Sequence, residues 1–486
     1  MPPSPITHCE VRMYRMGTGD CFALRFFAGE VLTFRMMIDC GTWQGSSDKL
    51  RKYVSDLKTY LDNHVDLLVV THEHKDHVYG FEACQALFGQ DFTVSQTWMA
   101  WTEDETAPRA SQWLKDFGDK KKALMLAGNT WKRLATDAGS KGAAARFSPF
   151  QLAARRHFEK ALSSFGELQF AANENGEYIG MLKGMSIVRN QIAKNKIRFC
   201  HPGEIIASFP AAPGIRFYVL GPPTSWDAVK TESGKDGESY PHNLAESDAF
   251  AAAVLAGDTP SANAAPFEER FLNDPADTSH PFRKIYEQKN GEWRQIGDDW
   301  LNSAGSLALR VNSMTNNLSL ALAIEFEESG RVMLFPGDAE YGSWRSWHGI
   351  DWAQPARSGD KHLTEDLLNR TVFYKVAHHL SHNGTAQRLG LEMMNHPDLV
   401  AMATLDYNVI SNGWKTTMPN REIVNELLRR TKGRLIVMNE DQLEVGDVPL
   451  SSRVAAAKER MTAAEQAAFD AAFAASELYF QFTVKG

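Results

Sequence analysis

No run of apolar residues in this sequence is long enough to cross a membrane, and Met1–Pro5 does not begin a signal-peptide core. Cysteine is also scarce, since the five cysteines are odd in number and none forms a Cys-x-x-Cys pair. We therefore expect neither a disulfide framework nor a cysteine-based metal site, and this usage suits the reducing cytoplasm. Repeats of fixed period are absent as well, which argues against a solenoid or a propeller.

The charge of the chain is modest overall but is distributed unevenly. Its 486 residues carry a formal net charge of −8, with 43% hydrophobic and 23% charged residues, as is ordinary for a globular protein. Residues 109–200 carry 17 Lys/Arg against 7 Asp/Glu, a local +10, whereas residues 225–299 carry 7 against 15, a local −8. The length suits one large α/β unit with insertions, or two domains.

The densest group of metal-ligating residue types follows a short apolar run. Val65–Val70 is typical of a buried strand, and it leads directly into Thr71–His77, whose sequence is Thr-His-Glu-His-Lys-Asp-His. Imidazoles and carboxylates are first-choice ligands for a borderline divalent ion such as zinc. The sequence therefore predicts a metal site in the loop that leaves this strand.

Three further stretches combine an apolar strand with ligand-type residues at its end. They are Met36–Gly41 with Asp39, Val332–Glu340 with Asp338, and Tyr374–His382 with His378, His379 and His382. Together with the His-x-His-x-Asp-His loop, these motifs resemble those of the metallo-β-lactamase fold superfamily of metallohydrolases. The Gly-Asp-Ala-Glu at 337–340, the paired histidines and Asn316–Leu320 resemble one branch, the lactamase-like domain of the DNA-uptake protein ComEC and its soluble relatives.

The resemblance implies an αββα sandwich that holds two divalent metal ions, zinc first, with manganese or magnesium as alternatives. The implied ligands are His72 and His74 for one ion, Asp76, His77 and one of the pair His378/His379 for the other, and Asp338 as the bridge. Asp39 would support these ligands by hydrogen bonds without binding metal, and Asp76 would also orient the attacking water. His382 is a candidate proton donor or phosphate contact, with a structural role in its loop as the alternative. Because successive residues at a strand end face opposite ways, we expect one histidine of the pair to point into the site, and we favour His378.

Two positions depart from the family pattern. The superfamily's third motif supplies another histidine to the first ion, and no residue fills that place clearly here. The residues available in the interval are His157, His201, His242 and His280, with Glu103 or Asp104 as oxygen-donating substitutes. A position short of one ligand would hold its ion weakly or would prefer manganese or magnesium to zinc. The second departure is Thr417-Met418-Pro419, where the ComEC-like pattern tends to have Gly-His-Pro.

The order of elements predicts a hydrolase core interrupted by two insertions. The core comprises residues 1–108, 201–224 and 300–486, and its last part ends in an Ala-rich helix over 453–476 and a strand over 478–484. The insertions are a basic helical one at 109–200 and an acidic, loop-rich one at 225–299. In the basic insertion, Lys120, Lys121 and Lys122 are candidates for contacting a phosphate-rich substrate, although a solvated helical face explains the same charges.

Three functions fit these motifs. The first is a metal-dependent phosphodiesterase or nuclease that attacks DNA, RNA or a cyclic nucleotide with a metal-activated hydroxide, and the ComEC-like motifs favour it. The second is hydrolysis of a small ester, amide or lactone at the same site, which the acidic net charge favours. The third is a non-catalytic interaction module that keeps the fold. It is disfavoured by the presence of the predicted ligands His72, His74, Asp76, His77 and Asp338. We therefore expect a hydrolase with a nucleic acid or nucleotide as its partner and no membrane association.

Overall fold

The computed structural model describes residues 4–43, 45–138, 170–172, 178–207, 209, 211–231, 300–408, 410 and 418–486. Most of the predicted acidic insertion lies outside these residues, as do four positions named above, His157, His242, His280 and Thr417. Among the described helices, none is both long enough and apolar enough to cross a membrane.

The described chain is a mixed α/β structure. Its strands in chain order are β1 His8–Tyr14, β2 Phe22–Ala28, β3 Val31–Ile38, β4 His64–Val69, β5 Thr93–Ala100, β6 Phe170–Ala172, β7 Tyr178–Leu182, β8 Ile197–Cys200, β9 Ile205–Ile206, β10 Ile215–Val219, β11 Leu322–Phe326, β12 Val332–Phe335, β13 Thr371–Lys375, β14 Val400–Ala403, β15 Leu435–Val437, β16 Phe473–Ala475 and β17 Tyr479–Lys485. Its α-helices in chain order are α1 Ser47–Tyr60, α2 Lys75–Ala83, α3 Gln85–Gly89, α4 Pro108–Ala138, α5 Lys183–Ile187, α6 Trp226–Val229, α7 Trp300–Asn317, α8 Tyr341–Trp347, α9 Leu363–Asn369, α10 Arg421–Thr431, α11 Leu450–Lys458 and α12 Ala463–Ala472.

Two large sheets carry these elements. The first has the strand order β16-β17-β1-β2-β3-β4-β5-β8, antiparallel from β16 to β3 and parallel from β3 to β8. The second has the order β15-β14-β13-β12-β11-β10-β9, parallel from β15 to β12 and antiparallel beyond. Because parallel neighbours end at the same edge of a sheet, the segments that follow β3 and β4 meet, as do those that follow β12 and β13. These four segments are the ones that carry the predicted ligands.

The main hydrophobic core lies between the two sheets. Alternate residues of β2 face the second sheet, and the ring of Phe22 lies 5.9 Å from that of Phe335 on β12. Trp98 on β5 packs against Phe217 on β10 with ring centroids 5.1 Å apart. These side chains are buried, so the inward-facing residues of the two sheets form a sheet-on-sheet core.

Helices cover the other face of the first sheet. In α1, Leu50, Val54 and Leu57 recur at helical spacing and are buried with the outward residues of β3 and β4. The helix begins after Ser46, whose side chain accepts a hydrogen bond from the Lys49 backbone N–H. The first sheet is therefore buried on both faces over its parallel half, which explains why the last three residues of β4, Leu67–Val69, are all apolar and buried.

The C-terminal end differs from the single long helix that the sequence predicts. Two helices, α11 and α12, are followed by the short strand β16, because Thr462 and Glu465 form a capping box that begins α12 afresh. Phe473 leaves the helix and pairs with Phe482 of β17 in the first sheet. The terminal strand is present as β17 and pairs with β1.

The chain divides into two compact units by its internal contacts. One unit comprises 1–112, 181–239 and 313–486 and contains both large sheets. The other comprises 113–180 and 240–312, and in it the stacked rings of Trp113 and Phe117 on α4 lie 5.3 Å apart. The insertion boundaries predicted from the sequence remain predictions.

Candidate metal centre

Two glycines determine how closely the predicted metal loop approaches the first sheet. After β4 the chain forms a loop to His74, and α2 then places Asp76 and His77 in its first turn. A Cβ on Gly41 would lie 2.1 Å from the Asp76 carbonyl carbon, and one on Gly19 would lie 2.6 Å from the Asp76 carbonyl oxygen. Only glycine permits this approach, because it has no Cβ. The backbones of Gly19 and Gly41 therefore pack directly against the backbone of Asp76.

Four buried side chains, which we call the tetrad, converge from three distant stretches of the chain. They are Asp76 and His77 in α2, Asp338 after β12 and His379 after β13. His77 Nε2 lies 3.1 Å from Asp338 Oδ2. His379 Nε2 lies 3.2 Å from that same oxygen and 3.2 Å from Asp76 Oδ2. The structure thus brings together four of the residues that the sequence predicts for the site.

The spacing within the tetrad suits donors arranged around one ion. Ligand atoms about 2.0–2.1 Å from a tetrahedral ion lie roughly 3.3 Å from one another, close to the 3.1 and 3.2 Å found here. Asp76 Oδ1 is buried and lacks a hydrogen-bond partner, which is costly unless a further group binds it. Imidazole nitrogens and carboxylate oxygens together suit zinc or manganese. The tetrad therefore fits a divalent metal ion.

Asp39 fixes the orientation of His77. Its Oδ2 lies 2.7 Å from His77 Nδ1, and its carboxylate accepts hydrogen bonds from the Thr71 backbone N–H at 2.8 Å and from the Thr71 hydroxyl at 2.6 Å. A proton on Nδ1 leaves Nε2 of the same imidazole free to act as a ligand atom. Asp39 thus contacts His77 on the side opposite to Asp338.

A buried lysine holds the carboxylate of Asp338. Lys375 Nζ lies 3.1 Å from Asp338 Oδ1 and 2.5 Å from Asp20 Oδ2. The hydroxyl of Thr404 donates to Asp20 Oδ1 at 2.6 Å and lies 2.8 Å from His379 Nδ1. Because Lys375 occupies Oδ1 of Asp338, the other oxygen of that carboxylate faces the two histidines of the tetrad.

Interactions between charges raise the pKa values of the two histidines of the tetrad and lower that of Asp338. Burial by itself lowers the pKa of His77, but Asp338 and Asp20 outweigh it and raise that pKa well above its ordinary value. Burial likewise opposes a charged His379, whereas Asp338 raises its pKa to about 9. The same imidazoles and Lys375 hold the pKa of Asp338 well below its ordinary range against the effect of burial. A bound cation would take over the charge that the imidazole protons otherwise supply.

His72 and His74 form a second pair of facing imidazoles. His72 Nε2 lies 3.0 Å from His74 Nδ1, and the Ser319 hydroxyl lies 3.2 Å from His72 Nδ1. Burial lowers the pKa of both histidines, that of His74 to about 4, so both are neutral and suited to bind metal. Within the part of the chain that the structure describes, no cluster of three or more His, Cys, Asp and Glu residues includes either of them.

The segment that carries the loop and its supports is similar to a known family. Residues 11–107 match the family model of the anti-Pycsar protein Apyc1. That family consists of metallo-β-lactamase-fold phosphodiesterases. No curated protein and no solved structure matches the chain. The segment matched by the Apyc1 model contains Asp20, Asp39 and the metal loop, whereas Asp338 and His379 lie beyond it.

Beyond the Apyc1 match, the paired histidines lie in a turn and not in a strand. β13 ends at Lys375, and His378, His379 and Leu380 follow with φ of 45°, 49° and 66°. Consecutive non-glycine residues in this left-handed region are rare and strained, and such strain clusters at functional sites. Both imidazoles are buried, so the alternation expected at a strand end does not apply. The structure brings His379 into the tetrad and His378 beside Glu340, at 3.5 Å between Nδ1 and Oε1.

Several other residues predicted for the site lie outside the tetrad. His382 is exposed in the loop that follows His379. His201 stacks on Trp101 with ring centroids 6.0 Å apart, and Glu103 pairs with Arg189 at 3.4 Å. Asp104 accepts hydrogen bonds from the backbone and hydroxyl of Thr106. None of the third-motif candidates within the described residues joins a cluster that could hold a metal.

The lysine run of the basic insertion is not uniformly exposed. Lys121 is buried in α4, and its Nζ lies 4.4 Å from the ring centroid of Phe117, whereas Lys120 and Lys122 are half-buried. Burial lowers the pKa of Lys121 to about 7. Substrate binding by this run remains a prediction.

Sequence reasoning gave no role to four residues that the structure places at the site, Asp20, Lys375, Thr404 and Asn316. Asp20 follows a Gly-Thr-Gly turn that reads as an ordinary hairpin, and nothing near it in sequence indicates a pairing with Lys375. The lysine that ends the otherwise uncharged strand β13 was the available signal, because an unpaired lysine is rarely buried.

Proposed function

We propose that this protein is a metal-dependent phosphodiesterase of the metallo-β-lactamase fold whose substrate is a cyclic nucleotide. The observation that carries the proposal is the buried tetrad, in which donor atoms from distant stretches lie 3.1–3.2 Å apart. Two face-to-face sheets, with the site after the C-terminal ends of parallel strands, support the αββα arrangement. The ComEC-like motifs around Asp338 and His379 and the Apyc1 likeness both support phosphodiester chemistry.

Each residue of the site has a separable task in this proposal. The tetrad would hold one divalent ion, and His72 and His74 would contribute to a second position. When bound, such ions lower the pKa of a coordinated water towards about 7 and neutralise charge on phosphoryl oxygens. Asp76 Oδ1 is buried and has no hydrogen-bond partner, so it can accept a hydrogen bond from a water. His382, exposed in the next loop, is the candidate that would protonate the leaving oxygen.

A small phosphodiester suits the observations better than a polymer. Cyclic nucleotides are the substrate class that the Apyc1 likeness suggests. The basic run that would favour a polymer includes the buried Lys121, which cannot contact a phosphate backbone while it is buried. We therefore expect hydrolysis of a cyclic nucleotide, and cleavage of DNA or RNA is the alternative result that the experiment must distinguish.

The test uses the full chain, stripped with a chelator and reloaded with Mn²⁺ or Zn²⁺. Its substrates are purine and pyrimidine cyclic mononucleotides, plasmid DNA, single-stranded nucleic acid, bis-p-nitrophenyl phosphate and a carboxyl ester. We expect metal-dependent opening of a cyclic mononucleotide to a linear monophosphate. Cleavage of the polymers alone would favour a nuclease, and turnover of the ester alone would overturn the phosphodiesterase assignment.

Two matched variants separate the site from the rest of the chain. Asp338→Asn keeps the shape of a tetrad residue but removes its charge, and we expect it to lower turnover at least about 100-fold. Asp398→Asn changes an exposed aspartate that pairs with Arg331 at 2.8 Å, and we expect it to leave turnover unchanged. A metal-loaded wild type that turns over none of the substrates would favour a non-catalytic module.

A further inference from the structure

We propose that the side-chain oxygen of Asn316 is the protein's third ligand at the His72–His74 metal position, in the place that a histidine would otherwise take. The inference rests on the proposed function in so far as that function includes a second metal position. It goes further by assigning a ligand that no other residue in the described chain supplies.

The amide of Asn316 has one defined orientation. Asn316 is fully buried in the last turn of α7. Its Nδ2 donates to Glu340 Oε1 at 2.8 Å and lies 3.3 Å from His378 Nε2. Glu340 is in turn held by a hydrogen bond from the Ser313 hydroxyl, one turn earlier on α7. Because the nitrogen has acceptors on its side, the oxygen must point the other way.

That oxygen makes no hydrogen bond of ordinary geometry. Oδ1 of Asn316 is buried without a well-placed donor, and the Asn316 side chain lies within hydrogen-bonding reach of His74. The adjacent Asn317 shows how a buried amide is satisfied in the same turn, with Nδ2 bonded to the carbonyls of Val229 and Thr231 at 3.1 Å. Its Oδ1 accepts from the backbone N–H of Glu340 and of Ser343. Asn316 differs because its side-chain oxygen, a strong acceptor, makes no hydrogen bond of ordinary geometry. A buried oxygen in this state is suited to bind a cation.

His72 and His74 supply the other two ligand atoms of the proposed metal position. Their facing nitrogens lie 3.0 Å apart, which is close to the separation of two ligands on one ion. In the described residues no third His, Cys, Asp or Glu lies close enough to complete this pair. An amide oxygen is a harder ligand than imidazole, so this position should bind manganese or magnesium better, relative to zinc, than a three-histidine position would.

His378 acquires a role in this arrangement that differs from metal binding. Its Nε2 lies 3.3 Å from the Asn316 amide nitrogen and accepts from it when the ring carries its proton on Nδ1, which lies 3.5 Å from Glu340 Oε1. His378 and Glu340 together are therefore positioning residues that aim Asn316, whereas His379 belongs to the tetrad.

The experiment measures metal binding directly and does not depend on turnover. Chelator-stripped full chain is titrated with Mn²⁺ and with Zn²⁺ by calorimetry, and the bound metal is counted by elemental analysis after dialysis. We expect two ions per chain, one held more weakly. Asn316→Ala should weaken only the weaker position, at least about tenfold. Asn316→Asp should restore it, and Asn316→His should raise its preference for Zn²⁺ over Mn²⁺.

Asn317→Ala is the matched control, because Asn317 is an equally buried neighbour whose amide nitrogen and oxygen are both hydrogen-bonded to backbone groups. Circular dichroism and thermal unfolding check that each variant is folded, and Asn316→Asp serves as the test if Asn316→Ala is not. The proposal is overturned if Asn316→Ala leaves both affinities within twofold of wild type, if Asn317→Ala has the same effect, or if wild type binds a single ion. Two bound ions without phosphodiester turnover would reject the proposed function and leave the ligand assignment standing.

Discussion

His77 Nδ1 lies 2.7 Å from Oδ2 of Asp39, and both side chains are fully buried. The contact joins the end of β3 to the first turn of α2, and it turns the opposite nitrogen of His77 towards Asp338. A carboxylate that orients a metal-binding imidazole in this way also makes it a better donor to the metal. The consequences of this contact can be measured.

Replacing Asp39 should weaken metal binding without removing a ligand. We expect Asp39→Asn to lower the affinity for Zn²⁺ or Mn²⁺ about 10- to 100-fold, because the imidazole loses the charge that orients it. Calorimetric titration of the stripped protein measures the change. Asp62→Asn is the control, since Asp62 is exposed and pairs with Arg35 at 2.7 Å. An unchanged affinity in Asp39→Asn would remove Asp39 from the metal centre.

The close approach of Gly41 to the metal loop predicts a large effect of one added methyl group. We expect Gly41→Ala to destabilise the fold by about 3 kcal/mol and to lower metal content, because the new Cβ overlaps the Asp76 backbone. Urea unfolding and elemental analysis measure the two effects. Gly118→Ala in α4 is the control, since nothing lies within 4 Å of the added Cβ, and a helical glycine-to-alanine change stabilises by up to about 1 kcal/mol. Equal stability of the two variants would show that the loop does not need this approach.

Metal removal should lower the stability of the fold through the tetrad. At a free metal concentration 100 times the dissociation constant, binding to the folded state alone adds about 2.7 kcal/mol to the free energy of unfolding. We expect Mn²⁺ or Zn²⁺ to raise the thermal midpoint of stripped wild type accordingly and to raise that of Asp338→Asn far less. Thermal unfolding with and without metal tests this. A full metal-induced rise in Asp338→Asn would place the tight site elsewhere.

Away from the metal centre, Asp366 should make stability depend on acid pH. Burial raises its pKa, but hydrogen bonding to Arg370, at 2.9 Å, and the charge of that guanidinium outweigh burial and hold the pKa below its ordinary value. The unfolded chain therefore binds a proton more readily near pH 4, so the contribution of the carboxylate is complete above about pH 3.9 and is lost as the pH falls through the lower folded pKa.

We expect Asp366→Asn to lower the free energy of unfolding by about 2 kcal/mol at pH 7. The difference from wild type should shrink as the pH is lowered from about 4 to 2, because the wild-type carboxyl is then neutral too. Urea unfolding across this range measures it. A difference that is constant with pH would mean that the variant acts through packing and not through charge.

Local pattern alone was enough to predict the individual strands and the ligand-bearing segments. β3 ends at Ile38, immediately before Asp39, as the Met36–Gly41 motif predicts, because an apolar strand pattern is a property of neighbouring residues. β4 was predicted over Val65–Val70 and spans His64–Val69, and it leads into the loop with His72 and His74. The C-terminal helix was predicted too long, since the apolar Ala and Phe pattern continues through Phe473 although that residue belongs to a strand.

The hydrophobic pattern of the sequence does not predict contacts between distant segments. The choice between His378 and His379 depends on a left-handed turn after β13. In that turn His379 Nδ1 lies 2.8 Å from the hydroxyl of Thr404, which follows β14. Lys375 could be recognised as a partner of Asp20 only once the two sheets had been packed together.

The sequence by itself determined which kinds of donor atoms this protein can offer to a metal and at the ends of which strands they lie. Only the tertiary structure decided which of them meet and which carboxylate oxygen faces inward. The physical reason is that hydrophobic periodicity is a property of neighbouring residues and can be recognised in the sequence. A metal centre instead depends on the register and packing of strands that are hundreds of residues apart.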